Sequence, residues 1–169
     1  MGKIILASSS PRRADILRQH NIEFQTLPSP YQEDHSVTAF SYAFVESLAL
    51  NKARGVLPLV EAPCLILGAD TVVVLDGKIL GKPADYDDAF NMLRSLSGRK
   101  HIVVTGIALI NSETRNETVR SVTSTVEFEK LTGEQIEFYL KNFKPYDKAG
   151  SYGIQEMPSG YIKGYEGSF

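Results

Sequence analysis

Arg12 and Arg13 follow the tripeptide Ser8, Ser9, Ser10 and then Pro11, and a helix-like run begins with them. The first turn of a helix carries partial positive charge, so cations there are unfavourable unless an anion joins them. A buried strand, a serine loop and a helix start together make a ready anion site. Free backbone N–H groups, the Ser8 and Ser10 hydroxyls and two guanidinium forks all suit phosphate oxygens. The competing explanation is a serine turn followed by two solvated arginines.

Lys52 is the second residue out of place. It recurs at helical spacing with Val45, Leu48 and Ala49, on the apolar stripe of its helix. Either it snorkels at the stripe's edge, or it points its ammonium into a polar cleft, toward a phosphate. Asp70 is the third. It ends an apolar strand and is followed by Thr71 and the run VVVL. A carboxylate inside such a run must be paired, metal-bound or catalytic, because burying it bare is costly. It either caps nearby N–H groups or binds a cation and takes a proton from water. Lys82, between Gly81 and Pro83, fits a phosphate contact or a surface loop equally well. Glu33 and Asp34, in a polar loop, could add a carboxylate to a metal site.

These residues need elements to hold them. Residues 4–7 read as a short strand buried on both faces. Ser10 is placed as N-cap and Pro11 as first residue of the next helix, which ends near Asn21. Residues 22–27 read as a second strand and 28–36 as a polar loop. A helix is expected over 38–54, closed by Gly55. Residues 65–69 form a buried strand that runs into Asp70 and continues over 71–75. Asp76-Gly77 signals a hairpin, with the return over 78–80. Asp85 caps a helix over 86–96 that turns Ala89, Phe90, Leu93 and Leu96 inward and stops at Gly98. Residues 102–110 make a long strand. Residues 119–128 alternate, placing Val122, Val126 and Phe128 on one side. Thr132 and Gln135 spell a capping box for a helix through Lys141, ended by Pro145. A Gly-rich stretch with a short strand near 161–163 closes the chain. The order argues for an α/β fold with a mixed sheet. Neither a GxGxxG nor a P-loop motif occurs.

Composition limits the alternatives. The 169 residues, 43% hydrophobic and 22% charged, suit one compact domain of two lobes at most. A net charge of -2 gives no global basic field for nucleic acid, so any anion site is local. Cys64 is the single cysteine, so no intrachain disulfide forms. It sits in an apolar run as a small core residue. His20, His35 and His101 lack ligand spacing and read as structural or surface groups. The run at residues 4–7 is short for a signal peptide, and no stretch reaches the roughly 20 apolar residues of a membrane span. Residue chemistry alone stops at a phosphate-handling α/β protein that pairs a phosphate ester with a hard divalent cation.

The motifs SSSPRR, GADTVV, ILGKP, LSGRKHIVVTG and DKAGSYGIQ stand in order from Ile4 to the end of the chain. In these the chain closely resembles the Maf family of nucleoside triphosphate pyrophosphatases. The resemblance implies a twisted mixed sheet flanked by helices, with a cleft between two lobes, similar to the inosine triphosphate pyrophosphatases. It implies hydrolysis of a nucleoside triphosphate to monophosphate and pyrophosphate with Mg²⁺ or Mn²⁺, in the cytoplasm, often as a homodimer. Some members are linked to septum formation, so a nucleotide-binding regulatory protein without turnover is the rival function. By motif, Ser8, Arg12, Arg13, Lys52 and Lys82 would hold the phosphates. Asp70 would be general base or metal-organising carboxylate, and Glu33 a metal partner, although Gln32 precedes it where the family usually has Asp. Thr71 and Gln155, with Arg12, match the branch acting on dTTP and UTP rather than the one resembling 7-methyl-GTP pyrophosphatases. A Gln amide offers both donor and acceptor to a pyrimidine edge. Family members generally continue past the GSF segment with an apolar terminal helix, whereas this chain stops at Phe169. The resemblance therefore implies that part of the sheet or dimer surface is left uncovered.

Overall fold

The structure, a computed structural model, describes residues 3–34, 36–61 and 63–168. His35 lies outside the described residues. The chain forms two compact units: residues 1–34, 41–70 and 105–121 make the first, and residues 35–40, 71–104 and 122–169 the second. Among the described residues seven strands run in the order β2-β1-β3-β5-β6-β7, with β4 paired to β3. They are β1 (Lys3–Leu6), β2 (Gln25–Thr26), β3 (Cys64–Leu75), β4 (Lys78–Leu80), β5 (Lys100–Asn111), β6 (Glu117–Phe128) and β7 (Ile162–Glu166). The helices are α1 (Pro11–Gln19), α2 (Tyr42–Val56), α3 (Tyr86–Leu96) and α4 (Gly133–Phe143). The expected α/β class with a mixed sheet is what the chain adopts.

In the first unit, β1 pairs in parallel with β2 on one side and β3 on the other, with Leu6 opposite Thr26 and Leu67. Parallel neighbours need crossovers, and α1 and α2 supply them. The strand expected over 22–27 shortens to Gln25 and Thr26, paired with Ile5 and Leu6, and Leu27 adds only an N–H to the Leu6 carbonyl at 3.0 Å. Ile5, Ala7, Ile66, Cys64, Ala108 and Ile110 pack with Ala49, Ala53 and Val56 of α2 into one core. Cys64 is buried, as expected. Two glycines let α2 lie directly on the strands. A Cβ on Gly68 would stand 2.2 Å from the Ala49 carbonyl oxygen, and one on Gly106 would stand 2.6 Å from that of Val45.

The boundaries of α2 differ from expectation. The helix begins at Tyr42, where the Ser41 Oγ accepts the Phe44 N–H; upstream, Ala39 instead bridges to Lys78 of β4. Gly55 does not end the helix but lies inside it. A Cβ there would come within 2.6 Å of Ser29 Oγ, so this glycine serves close packing.

In the second unit, Asp76 and Gly77 both take positive φ (51° and 75°) and join β3 to β4, the geometry of a tight hairpin turn. Asp85 caps α3 by accepting the Asp88 N–H, and Gly98 follows the helix at φ 69°. Thr132 and Gln135 form the full capping box of α4. Ala89, Leu93, Leu96, Val126, Phe128, Ile136, Tyr139 and Leu140 belong to one core. Val122 departs from its expected place, being 45% exposed. It has the same parity as Val126 and Phe128, but that core reaches no further along β6 than Val126. His101 is 3% exposed, with its Nε2 2.6 Å from the Tyr152 hydroxyl. It is a structural histidine, while His20 is exposed.

Candidate active site

The site in the first unit begins where β1 ends. The Ala7 N–H still donates to the Leu67 carbonyl (2.8 Å), and Ser8 follows, 6% exposed. Its Oγ accepts the Ser10 N–H at 3.2 Å and an Arg13 guanidinium N–H at 3.1 Å. Ser10 holds the N-cap position of α1, as expected, but its side chain makes no capping bond. The Ser10 hydroxyl therefore does not cap α1, at the helix end whose partial positive charge suits an anion.

Successive helix residues point about 100° apart, and this separates the two arginines. Arg12 is exposed, whereas Arg13 is half-buried. Burial lowers the Arg13 pKa, while the charges of Asp70 and Glu33 work to raise it and Arg12 to lower it further. Arg13 thus faces two carboxylates from across the unit.

Those carboxylates meet at Lys52. The contact of α2 with Gly68 places the helix over β3 two residues before Asp70, so a lysine on its stripe reaches the carboxylate. The Lys52 Nζ donates to Asp70 Oδ1 and forms an ion pair with Glu33 Oε1 at 2.7 Å. The lysine side chain is only 14% exposed, Asp70 9% and Glu33 26%. Burial raises the Asp70 pKa above the usual carboxylate range; Lys52 pulls against it, Glu33 adds to it and Arg13 opposes it. Of the alternatives, the polar destination of Lys52 and the paired state of Asp70 are those found.

Ser8, Arg13, Lys52, Asp70 and Glu33 thus converge, and Arg12 stands outside the cluster. Thr71, Lys82 and Gln155 belong to the second unit. Thr71 is half-buried on β3. Lys82 is exposed, in the break after β4, where the Gly150 N–H holds the Gly81 carbonyl at 3.0 Å. Gln155 is exposed in the short 3-10 turn Ile154–Glu156. Lys148, which no periodicity singled out, is an 11%-exposed ammonium between Asp147 (3.0 Å) and Glu156 (3.2 Å). Its signal was a lysine inside a Gly-rich loop with acids on both sides, which is common on surfaces.

The donor set fits a hard divalent cation. Two carboxylates converge on one ammonium, so their oxygens already face a cation. Among the described residues no group of three or more His, Cys, Asp or Glu is placed to hold a metal. A divalent cation held here would take Glu33 and Asp70 from the protein and its remaining ligands from water and phosphate, as Mg²⁺ accepts.

The mixed sheet with its helices is a fold shared with solved structures of Ham1 proteins. A Ham1 protein from Coxiella burnetii superposes with a TM-score of 0.53 at 17% identity, over 95% of this chain and 92% of that one. A nucleoside-triphosphatase (dITP/XTP pyrophosphatase) from Mycobacterium abscessus gives 0.50 at 22% identity, over 75% and 74%. These likenesses define the fold. The chain itself belongs to the Maf family, whose "Maf-like protein" description matches residues 3–169. Two curated relatives, both dTTP/UTP pyrophosphatases, cover all of it. The one from Symbiobacterium thermophilum is 47% identical over 171 residues and is itself covered over 86%. That from Ruminiclostridium cellulolyticum is 44% identical over 170 residues and covered over 88%.

Proposed function

We propose that this chain hydrolyses nucleoside triphosphates, dTTP and UTP foremost, to the nucleoside monophosphate and pyrophosphate. Membership of the Maf family and full-length relatives of that activity support the reaction class. The observation that carries the reading is the Lys52 ammonium held between Glu33 and Asp70, with Arg13 beside them. Burying four charged groups at a strand end costs stability that packing alone would never require, and such clusters mark chemistry.

Asp70 positions a water and takes its proton as the oxygen attacks the α-phosphorus. The bond from that phosphorus to the bridging oxygen breaks, and pyrophosphate leaves with the electron pair. Burial makes Asp70 a stronger base than a solvated carboxylate, while Lys52 favours its ionised form. Arg13, Lys52, Ser8, Lys82 and Arg12 meet phosphate oxygens, and charge stabilisation of the leaving group supplies most of the rate. Arg13 and Lys52 are balanced by Glu33 and Asp70, so a triphosphate brings unbalanced negative charge. A Mg²⁺ or Mn²⁺ on Asp70 and Glu33, when bound, supplies positive charge to the phosphate oxygens. Thr71, Gln155 and Arg12 set base preference. No described helix is long and apolar enough to cross a membrane; the resemblance supports a cytoplasmic, homodimeric enzyme.

The test is pyrophosphate release from dTTP, UTP, CTP, GTP and 7-methyl-GTP with Mg²⁺ or Mn²⁺, beside Asp70→Asn. Turnover of dTTP and UTP that vanishes in the variant is expected. Turnover confined to purines would overturn the base preference. Nucleotide binding without turnover would overturn the enzyme in favour of a regulatory binding protein.

A further inference from the structure

Gln155 as a base reader raises a physical difficulty. Its side chain is exposed, and among the described residues nothing hydrogen-bonds its amide. An amide selects a base edge only when its distance and angle to that edge are held. The holding must therefore come from the backbone turn that carries it, Ile154–Glu156.

That turn ends a loop under conformational tension. Gly150 and Ser151 take positive φ in succession, 67° and 61°, and left-handed backbone at a serine persists only where surroundings enforce it. Four neutral contacts enforce the middle of the loop, the Tyr152 hydroxyl against His101 Nε2 (2.6 Å) among them. The Gly150 N–H donates to the Gly81 carbonyl (3.0 Å). The Ser151 hydroxyl donates to Met92 Sδ (3.3 Å), and the Gly153 N–H donates to the Tyr139 hydroxyl (3.2 Å). The Glu156 N–H closes the turn on the Gly153 carbonyl (2.9 Å), but none of the four reaches beyond Gly153 to the turn that bears Gln155. Lys148 does. From the start of the loop its Nζ stands 3.2 Å from Glu156 Oε2, the residue next to Gln155. The lysine side chain is 11% exposed, so the pair is shielded from solvent on its cationic side. The Lys148 carbonyl also accepts the Ser151 N–H at 3.1 Å. Asp147 adds a second, solvent-exposed carboxylate at 3.0 Å.

The geometry points to Lys148 as a positioning residue for base selectivity: through Glu156 it closes the loop on itself and fixes where Gln155 is presented. This role rests on the proposed function, since it deepens the part played by Gln155. Lys148 touches no substrate and acts only through the turn. Because the loop also grips the Gly81 carbonyl, its closure steadies the segment carrying Lys82.

The experiment compares kcat and KM for dTTP and CTP in the full chain, in Glu156→Gln, Lys148→Met and Lys148→Arg, each alone and combined with Gln155→Ala. Glu156→Gln keeps shape and removes the ion pair, so it reports even if Lys148→Met fails to fold. The expected result is a fall of about tenfold in the dTTP-over-CTP ratio of kcat/KM. It should be carried by KM for dTTP, with no further fall when Gln155→Ala is added, and Lys148→Arg should retain most of the ratio. A merely structural role would lower both nucleotides together and add to Gln155→Ala, which overturns the proposal. An unmoved ratio in Glu156→Gln overturns it too. If the unmodified chain turns over no nucleotide, the proposed function falls and this role with it; turnover with an unmoved ratio removes this role alone.

Discussion

Asp70 sits between influences of opposite sign, and each can be removed separately. Burial and Glu33 raise its pKa; Lys52 and Arg13 lower it. As the proposed general base, Asp70 would work ionised, so kcat/KM should climb with pH through a limb set by that pKa. Lys52→Met removes the largest opposing charge and should shift the limb to higher pH. Glu33→Gln removes a like charge and should shift it to lower pH. Opposite displacements in pH–rate profiles of the two variants are the expected outcome; shifts of the same sign would assign the limb to another group. Asp70→Asn should cost about 10²–10⁴-fold in kcat with nucleotide affinity largely kept, measured by single-turnover kinetics beside equilibrium binding. At this scale Asp70 and Lys52 were legible because each breaks an apolar pattern that the surrounding residues maintain. Arg12 and Arg13 were not separable, since being adjacent they differ only in which way the helix faces. The salt bridge from Glu33 to Lys52 joins a loop without period to a helix, and no local spacing encodes it.

The elements place those residues through backbone contact. Lys52 reaches Asp70 because Gly68 lets α2 settle on β3, with the Ala49 carbonyl where a Cβ would be. Gly68→Ala forces the helix off the strand. It should destabilise the chain by about 1–3 kcal/mol or more, the usual cost of overpacking, read as a lower unfolding midpoint in urea. Turnover should fall further than stability explains, because the Lys52–Asp70 contact opens with the same movement; full turnover in a folded Gly68→Ala variant would detach the contact from the helix position. The strands, the Asp76-Gly77 hairpin, the Asp85 cap and the Thr132–Gln135 box were legible, since each is written in neighbouring residues. Gly55 misled because a glycine near a helix end looks like a stop signal. Its reason is instead Ser29, 26 positions away in sequence, which local pattern cannot report. Val122 shows the same limit: alternation gives parity along β6 but not how far the covering core extends.

At the scale of the whole molecule, acid should act on stability through a residue that is not part of the Asp70 cluster. His101 is 3% exposed beside Tyr152 and Phe128, and no described group bonds its Nδ1. Burial lowers its pKa from 6.5 to about 4. The unfolded chain takes up the proton near the ordinary value and the folded chain only near the lowered one. The contribution is therefore complete above about pH 6.5 and is lost as pH falls toward 4, a swing on the order of 3 kcal/mol. Urea unfolding at pH 7 and pH 4.5 measures it. His101→Phe, which keeps a ring against Phe128 without a titrating nitrogen, should flatten that difference while lowering stability at pH 7 through the lost Tyr152 bond. Equal pH sensitivity in the variant would move the acid-labile group elsewhere. The Tyr152 hydroxyl, its own pKa raised by burial, stays protonated through this range, so the swing belongs to the imidazole. Tyr152 also lies within the loop that carries Gln155. Charging the buried His101 beside it should loosen that loop, so the dTTP-over-CTP ratio of kcat/KM should decline with stability as pH falls toward 4; a ratio unmoved while stability falls would separate the loop from the imidazole.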